Sequence, residues 1–147
     1  MLIGAILRNA HGKCLSSAQD GIDNGNILNQ WDCGLKPEKG QLWSWNEAVL
    51  GSGDRHLCNG HNKCVASPQD SKNNIALLQW GHKEENGQRY TFFNLDSNGY
   101  FMIKNDHGKC LGIEGNSKDD AARAWALDCS PSENGQRWKW QPHTFGK

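Results

Sequence analysis

Apolar side chains along this chain come in short runs, often alternating with polar ones, and the runs are divided by Gly, Asn, Asp and Pro. A period of two over five to seven residues marks a strand with one buried face. On that basis the chain predicts strands over 2–8, 13–17, 27–33 and 41–46, then over 75–80 and 88–95, and finally over 100–104, 109–113 and 122–129. No window of ten or more residues carries a helical stripe. Short strands at even spacing with turn residues between them indicate an all-β sandwich or barrel.

Two motifs then repeat in a fixed order. Asn9-Ala10-His11-Gly12-Lys13-Cys14 returns as Asn59-Gly60-His61-Asn62-Lys63-Cys64 and as Asn105-Asp106-His107-Gly108-Lys109-Cys110. Each copy is followed by a Gln and two aromatics at i, i+2 and i+4: Gln41, Trp43, Trp45; Gln88, Tyr90, Phe92; Gln136, Trp138, Trp140. The chain therefore divides into three units, approximately 1–46, 47–95 and 96–147, each of about four strands. Three such units in 147 residues predict one domain, a β-trefoil with threefold pseudosymmetry.

Composition sharpens this picture. Only 36% of the residues are hydrophobic, yet seven are Trp. Closing one barrel lets so polar a chain share a single core and hide its strand edges. The six rings of the Gln-x-aromatic strands fall on one strand face at threefold-related positions and are assigned to that core, at ~2–3 kcal/mol each. Trp31, Trp80 and Trp125 remain, one per unit, in the strand before. Trp31 lies two residues before Cys33, and Trp125 four before Cys129.

The chain has 16 basic and 16 acidic side chains, so nothing in its net charge invites nucleic acid or another polyanion. No apolar run approaches the ~20 residues of a membrane span. Residues 1–7 are apolar but lack a basic leader, and read as a first strand rather than a signal peptide. Six Cys form an even set. Cys14 and Cys33 are 19 apart, as are Cys110 and Cys129, while Cys58 and Cys64 bracket a turn. These spacings favour three disulfides over the alternative of six buried thiols, and they lack the short spacing of zinc sites. His11, His61 and His107 could form a threefold metal site, but read as turn residues beside a Gly or Asn of positive φ. Lys13, Lys63 and Lys109 beside them are assigned to keeping the hairpins soluble. Glu84-Glu85 and Asp119-Asp120 lie in polar turns where neighbours point apart, and no phosphate loop or nucleophile elbow is present. No catalysis, metal or cofactor is expected.

The Cys-[Leu/Val] step, the Trp-x-Cys about 15 residues on and the threefold Gln-x-aromatic pattern together resemble the ricin-B-type (R-type) lectin family over essentially the whole chain. That resemblance implies a β-trefoil that binds galactose or N-acetylgalactosamine in shallow pockets, up to one per repeat. It assigns Trp31 to stacking on the sugar, with Asn29 and Gln41 as amides of the pocket. The family's Asp, two residues after the first Cys, is replaced here by Ser16, Ala66 and Gly112. Gln19 and Asp20, Gln69 and Asp70, and Glu114 are the candidates to supply the missing acceptor. Trp80 with Gln69 and Asp70, and Trp125 with Glu114, form the second and third candidate sites. The implied partners are glycans on glycoproteins or glycolipids, met by a secreted monomer or homodimer. Two alternatives stand beside this. One is a protein-interaction trefoil with degenerate sugar sites. The other is a binder of sulfated or sialylated glycans, as in mannose-receptor-like cysteine-rich domains.

Overall fold

Each Asn-x-His segment closes a hairpin, and the Asn carboxamide holds it shut. Asn9 Oδ1 accepts from the backbone N–H of His11 and Lys13 at 3.0 and 3.1 Å. Asn59 does the same for His61 and Lys63, and Asn105 for His107 and Lys109. The residue after each His has a left-handed backbone: Gly12 at φ 85°, Asn62 at 63° and Gly108 at 82°. Gly and Asn are the residues that tolerate this conformation, which is why the motif varies only between them there.

The computed structural model describes residues 4–34, 36–47, 55–68, 74–83 and 87–142. The strands are β1 (Ala5–Asn9), β2 (Lys13–Ser17), β3 (Leu28–Asp32), β4 (Trp43–Glu47), β5 (Arg55–Asn59), β6 (Lys63–Ala66), β7 (Ile75–Ala76), β8 (Leu78–Gly81), β9 (Tyr90–Phe93), β10 (Met102–Asn105), β11 (Cys110–Ile113), β12 (Ala124–Leu127) and β13 (Trp138–Pro142). Antiparallel pairing runs β13-β1-β4-β5-β9-β10. A bridge from Phe101 to Trp138 closes this ring into a barrel. The hairpins β2-β3, β6-β8 and β11-β12 project from it and join one another through β7-β12 and the Ile27–Leu78 and Asn29–Arg123 bridges. This is a β-trefoil.

Two expectations are refined. The strand predicted over 75–80 is broken at Leu77, whose N–H bonds Ala124 while its carbonyl accepts from Leu28. Leu28, Leu77 and Ala124 are equivalent positions in the three hairpins, all fully buried, and they lock the cap around the pseudo-threefold axis. The six predicted core rings divide into two layers. Trp43, Tyr90 and Trp138 are fully buried, and each donates to a backbone carbonyl, of Leu15, Gly87 and Leu111. Trp45, Phe92 and Trp140 are half-buried and pack against the core, with Trp45 and Trp140 centroids 4.8 Å apart.

All three disulfides join the cysteines that the spacings favoured: Cys14–Cys33, Cys58–Cys64 and Cys110–Cys129. In the second repeat His82 stands where Cys33 and Cys129 stand in the others. Cys64 there pairs instead with Cys58, directly opposite on β5.

Candidate functional site

The loops of one repeat are fastened by amides of the next. Buried Gln30 accepts from Asn9 Nδ2 at 2.8 Å and donates to the carbonyls of Ser117 and Asp119 in the third repeat. Buried Gln79 repeats this one unit on, accepting from Asn59 Nδ2 and donating to Gly21 and Asp23 of the first repeat, each at 2.9 Å. The hairpin histidines add a second latch. His61 Nε2 meets Asp20 Oδ1 at 2.7 Å, and His11 Nε2 meets Asn116 Oδ1 at 3.0 Å. Lys13 bonds Asp32 and, at 2.8 Å, Asp120 of the third repeat, and Lys109 pairs with Asp128. These two lysines therefore brace the structure as well as solvating it.

This framework shapes a surface depression of about 940 Å³ on the first repeat, beside the β2-β3 hairpin. Gln19, Asp20, Asn29, Trp31 and Gln41 all line it. Trp31, across from Cys14 on β2, is 47% exposed. An indole left that open presents an apolar face to the depression. Asn29 is 8% exposed, and its Oδ1 is fully buried without a hydrogen-bond partner among the described residues. A buried acceptor without a donor costs ~1–3 kcal/mol, so Asn29 is held in the wall of the depression at an energetic cost.

Gln19 and Asp20 both sit at positive φ, 55° and 54°. Their counterparts in the third repeat are Gly115 and Asn116, residue types that adopt this conformation readily. Gln19 has no such licence, and the strain falls on a residue of the depression. Asp20 Oδ1 also accepts from Gly40 N–H at 2.9 Å. Burial pushes the Asp20 carboxyl up, but the bonds from His61 and Gly40 outweigh it and hold the group below its ordinary value. A side chain at position 40 would place its Cβ 2.9 Å from Asp20 Oδ1, so glycine is required for that approach.

Gln41 has a bracing role in addition to its place in the depression. Its Nε2 donates to Asp32 carbonyl at 3.1 Å and to Ser16 Oγ at 2.9 Å. Gln88 and Gln136 brace Gly81 and Asp128 in the same way. Ser16, in the place of the expected Asp, is buried and donates to Cys14 carbonyl.

The other repeats depart from this arrangement. Trp80 is 37% exposed and lies opposite Cys64, as Trp31 lies opposite Cys14. Asn24 and Gly25 of the first repeat flank it, with Asn24 Oδ1 accepting from Gly81 N–H at 2.8 Å. Leu78, opposite Ala66, takes the place of Asn29. Gln69 and Asp70 lie outside the described residues, as do Glu84 and Glu85. In the third repeat Trp125 lies opposite Gly112, at the register of Asn29, and Leu127 takes that of Trp31. Sequence reading missed Leu127, although it stands two residues before Cys129 as Trp31 does before Cys33. Glu114 Oε1 accepts from Arg123 N–H at 3.1 Å. Asp120 of the Asp119-Asp120 pair is bonded to Lys13. Among the described residues no group of three His, Cys, Asp or Glu could hold a metal ion.

Comparison with known proteins follows the same lines. A comparison with curated proteins gives no match. Among solved structures the fold is similar to the designed threefold-symmetric protein ThreeFoil, at a TM-score of 0.85 and 23% identity, covering 95% of this chain and 99% of that one. It is similar to an exo-β-1,3-galactanase from Clostridium thermocellum at a TM-score of 0.85 and 22% identity, covering 95% of this chain and 30% of the enzyme. The C-half of the earthworm R-type lectin, solved with GalNAc, is similar at a TM-score of 0.72 and 14% identity, covering 94% of this chain and 98% of that one. The ricin-type β-trefoil lectin domain family matches residues 3–139, and the chain belongs to that family.

Proposed function

We propose that the chain is a carbohydrate-binding lectin whose working site is the first-repeat depression, and that its ligand is a neutral saccharide of the galactose or N-acetylgalactosamine type. The observation that carries this reading is the meeting of exposed Trp31 with the polar side chains of Gln19, Asn29 and Gln41 in one depression. A pyranose offers a face of C–H groups for the indole and hydroxyl donors for acceptors around it. Three carboxylates, Asp20, Asp32 and Glu38, line the depression with the cation Lys36, and Lys13 is bonded to Asp32, so carboxylates still outnumber lysines there. Such an acceptor-rich rim suits a ligand that donates hydrogen bonds, and disfavours a sulfated or sialylated one at this place. The fold's likeness to a lectin solved with GalNAc and to a galactanase supports the galacto-type choice.

No step of chemistry is assigned to the chain. Three disulfides fit an oxidising, extracellular setting, where glycans of glycoproteins and glycolipids are the partners. A shallow site gives weak binding to one sugar, so useful avidity needs a second site or a second copy of the chain. The test is a glycan array with the native chain and Trp31→Ala. Native protein is expected on galactose-terminated glycans, and the variant, with its fold intact, should lose at least tenfold in signal. Equal binding by both would overturn the assignment.

A further inference from the structure

The charge balance of the chain hides an uneven distribution. Side chains on strand faces alternate, and the residues facing away from the core on β1, β13 and β10 include Arg8, Lys139 and Lys104. Arg137 precedes β13 on the same face. Arg8 and Lys139 are direct cross-strand partners. Like charges placed directly opposite on an antiparallel pair repel and destabilise it. The Phe101–Trp138 bridge sets β10 beside β13 and so brings Lys104 to the same sheet face.

The cations on this face rest largely on rings rather than on carboxylates. Lys104 Nζ is 4.9 Å from the Phe93 centroid. Arg137 and Lys139 sit 5.1 and 5.4 Å from the Tyr100 centroid. Arg137 is partly neutralised by Asp96 at 2.7 Å. Among the described residues Arg8, Lys104 and Lys139 have no acidic partner. A cleft of about 420 Å³, lined by Tyr100, Arg137, Asp96 and Leu95, opens beside them.

We propose that this face is a second binding site, for a sulfated polysaccharide strand, separate from the neutral-sugar depression and independent of it. Arg8 and Lys139 stand side by side on paired strands, and Lys104 lies further along the same outer face of the barrel, an array that fits a polymer bearing repeated anionic groups. The rings already carry cations, so they offer no free platform for stacking the bases of single-stranded nucleic acid. Phe101 and Met102 are buried. Among the described residues Leu95 at the cleft is the single large apolar side chain exposed on this face, which is too little to enter a lipid bilayer. A lectin built this way would be held on an anionic matrix while its depression samples neutral glycans.

The test measures binding of a heparin octasaccharide by calorimetry at 50 and 300 mM salt, with galactose binding measured in parallel. The proposal expects binding at low salt that weakens at least tenfold at high salt. The double variant Arg8→Gln/Lys139→Gln should lose at least tenfold for heparin with galactose binding unchanged. Lys118→Gln, exposed elsewhere, should alter neither. Heparin binding that survives the double variant overturns the proposal. So does equal affinity for a DNA duplex or for phosphatidylserine vesicles. Loss of galactose binding by Trp31→Ala bears on the depression alone and leaves this face untouched.

Discussion

Replacing Gln79 by Ala removes a fully buried amide that joins the second repeat to the first. Three hydrogen bonds go: Asn59 Nδ2 to Gln79 Oε1, and Gln79 Nε2 to the carbonyls of Gly21 and Asp23, all at 2.9 Å. A neutral bond contributes ~0.5–1.5 kcal/mol net, so three come to about 3 kcal/mol. Two considerations pull that value in opposite directions. The Gly21 and Asp23 carbonyls lie in a solvent-accessible loop and can turn to water, which lowers the loss. Asn59 is 5% exposed, and its stranded Nδ2 keeps its desolvation penalty, which raises it. The expected loss is therefore about 2–4 kcal/mol, a fall in Tm of ~5–15 °C for a domain of this size. Thermal unfolding under non-oxidised and oxidised conditions, followed by near-UV circular dichroism, reads it directly. The loop that Gln79 holds continues into Asn26 and Ile27, which line the first-repeat depression. Galactose affinity should fall as well, although Gln79 lies outside the depression. A Tm change below 2 °C would refute the view that these amides hold the repeats together.

Two further outcomes follow from particular residues. Asn29→Leu copies Leu78 at the equivalent register and removes the partnerless carbonyl oxygen, so it should raise Tm by ~2–6 °C while abolishing galactose binding, read by thermal melt and calorimetry. The bond from Arg137 holds the Asp96 carboxyl below its ordinary value. A carboxyl depressed in the folded state adds stability above its unfolded pKa, about 3.9, and that stability is lost as pH falls through the folded value. Asp96→Asn should therefore be less stable than the native chain at pH 7 and lose less on acidification to pH 2, as measured by denaturant titration across that range.

Much of this was legible in the sequence because each letter of the repeated motifs has a local task. The Asn closes its own hairpin within four residues, and the next Gly or Asn takes the left-handed turn. The Gln-x-aromatic pattern names strand residues whose rings face inward, and period two is enough to see that. Contacts between repeats were not legible. His61 meets Asp20 and His11 meets Asn116 across 41 and 105 positions, and only the folded cap brings them together. Gln30 and Gln79 went unnoticed because a polar residue inside an apolar strand reads as an interruption until its partner carbonyls are known. Within the candidate site, Trp31 and its neighbours could be named from motif spacing. Spacing could not reveal that Gln41 also braces a backbone carbonyl, or that Leu127 occupies the stacking register of the third repeat. Those facts depend on strand register and on which side chains share a wall.

The measurement that bears most directly on the sugar site follows the indole N–H signals of the seven tryptophans by two-dimensional NMR during a galactose titration. Trp31 is expected to shift progressively and saturate, while Trp43 and Trp138, sealed in the core, stay fixed. Saturating shifts confined to Trp125, or none at Trp31 at any sugar concentration, would contradict a galactose site in the first repeat.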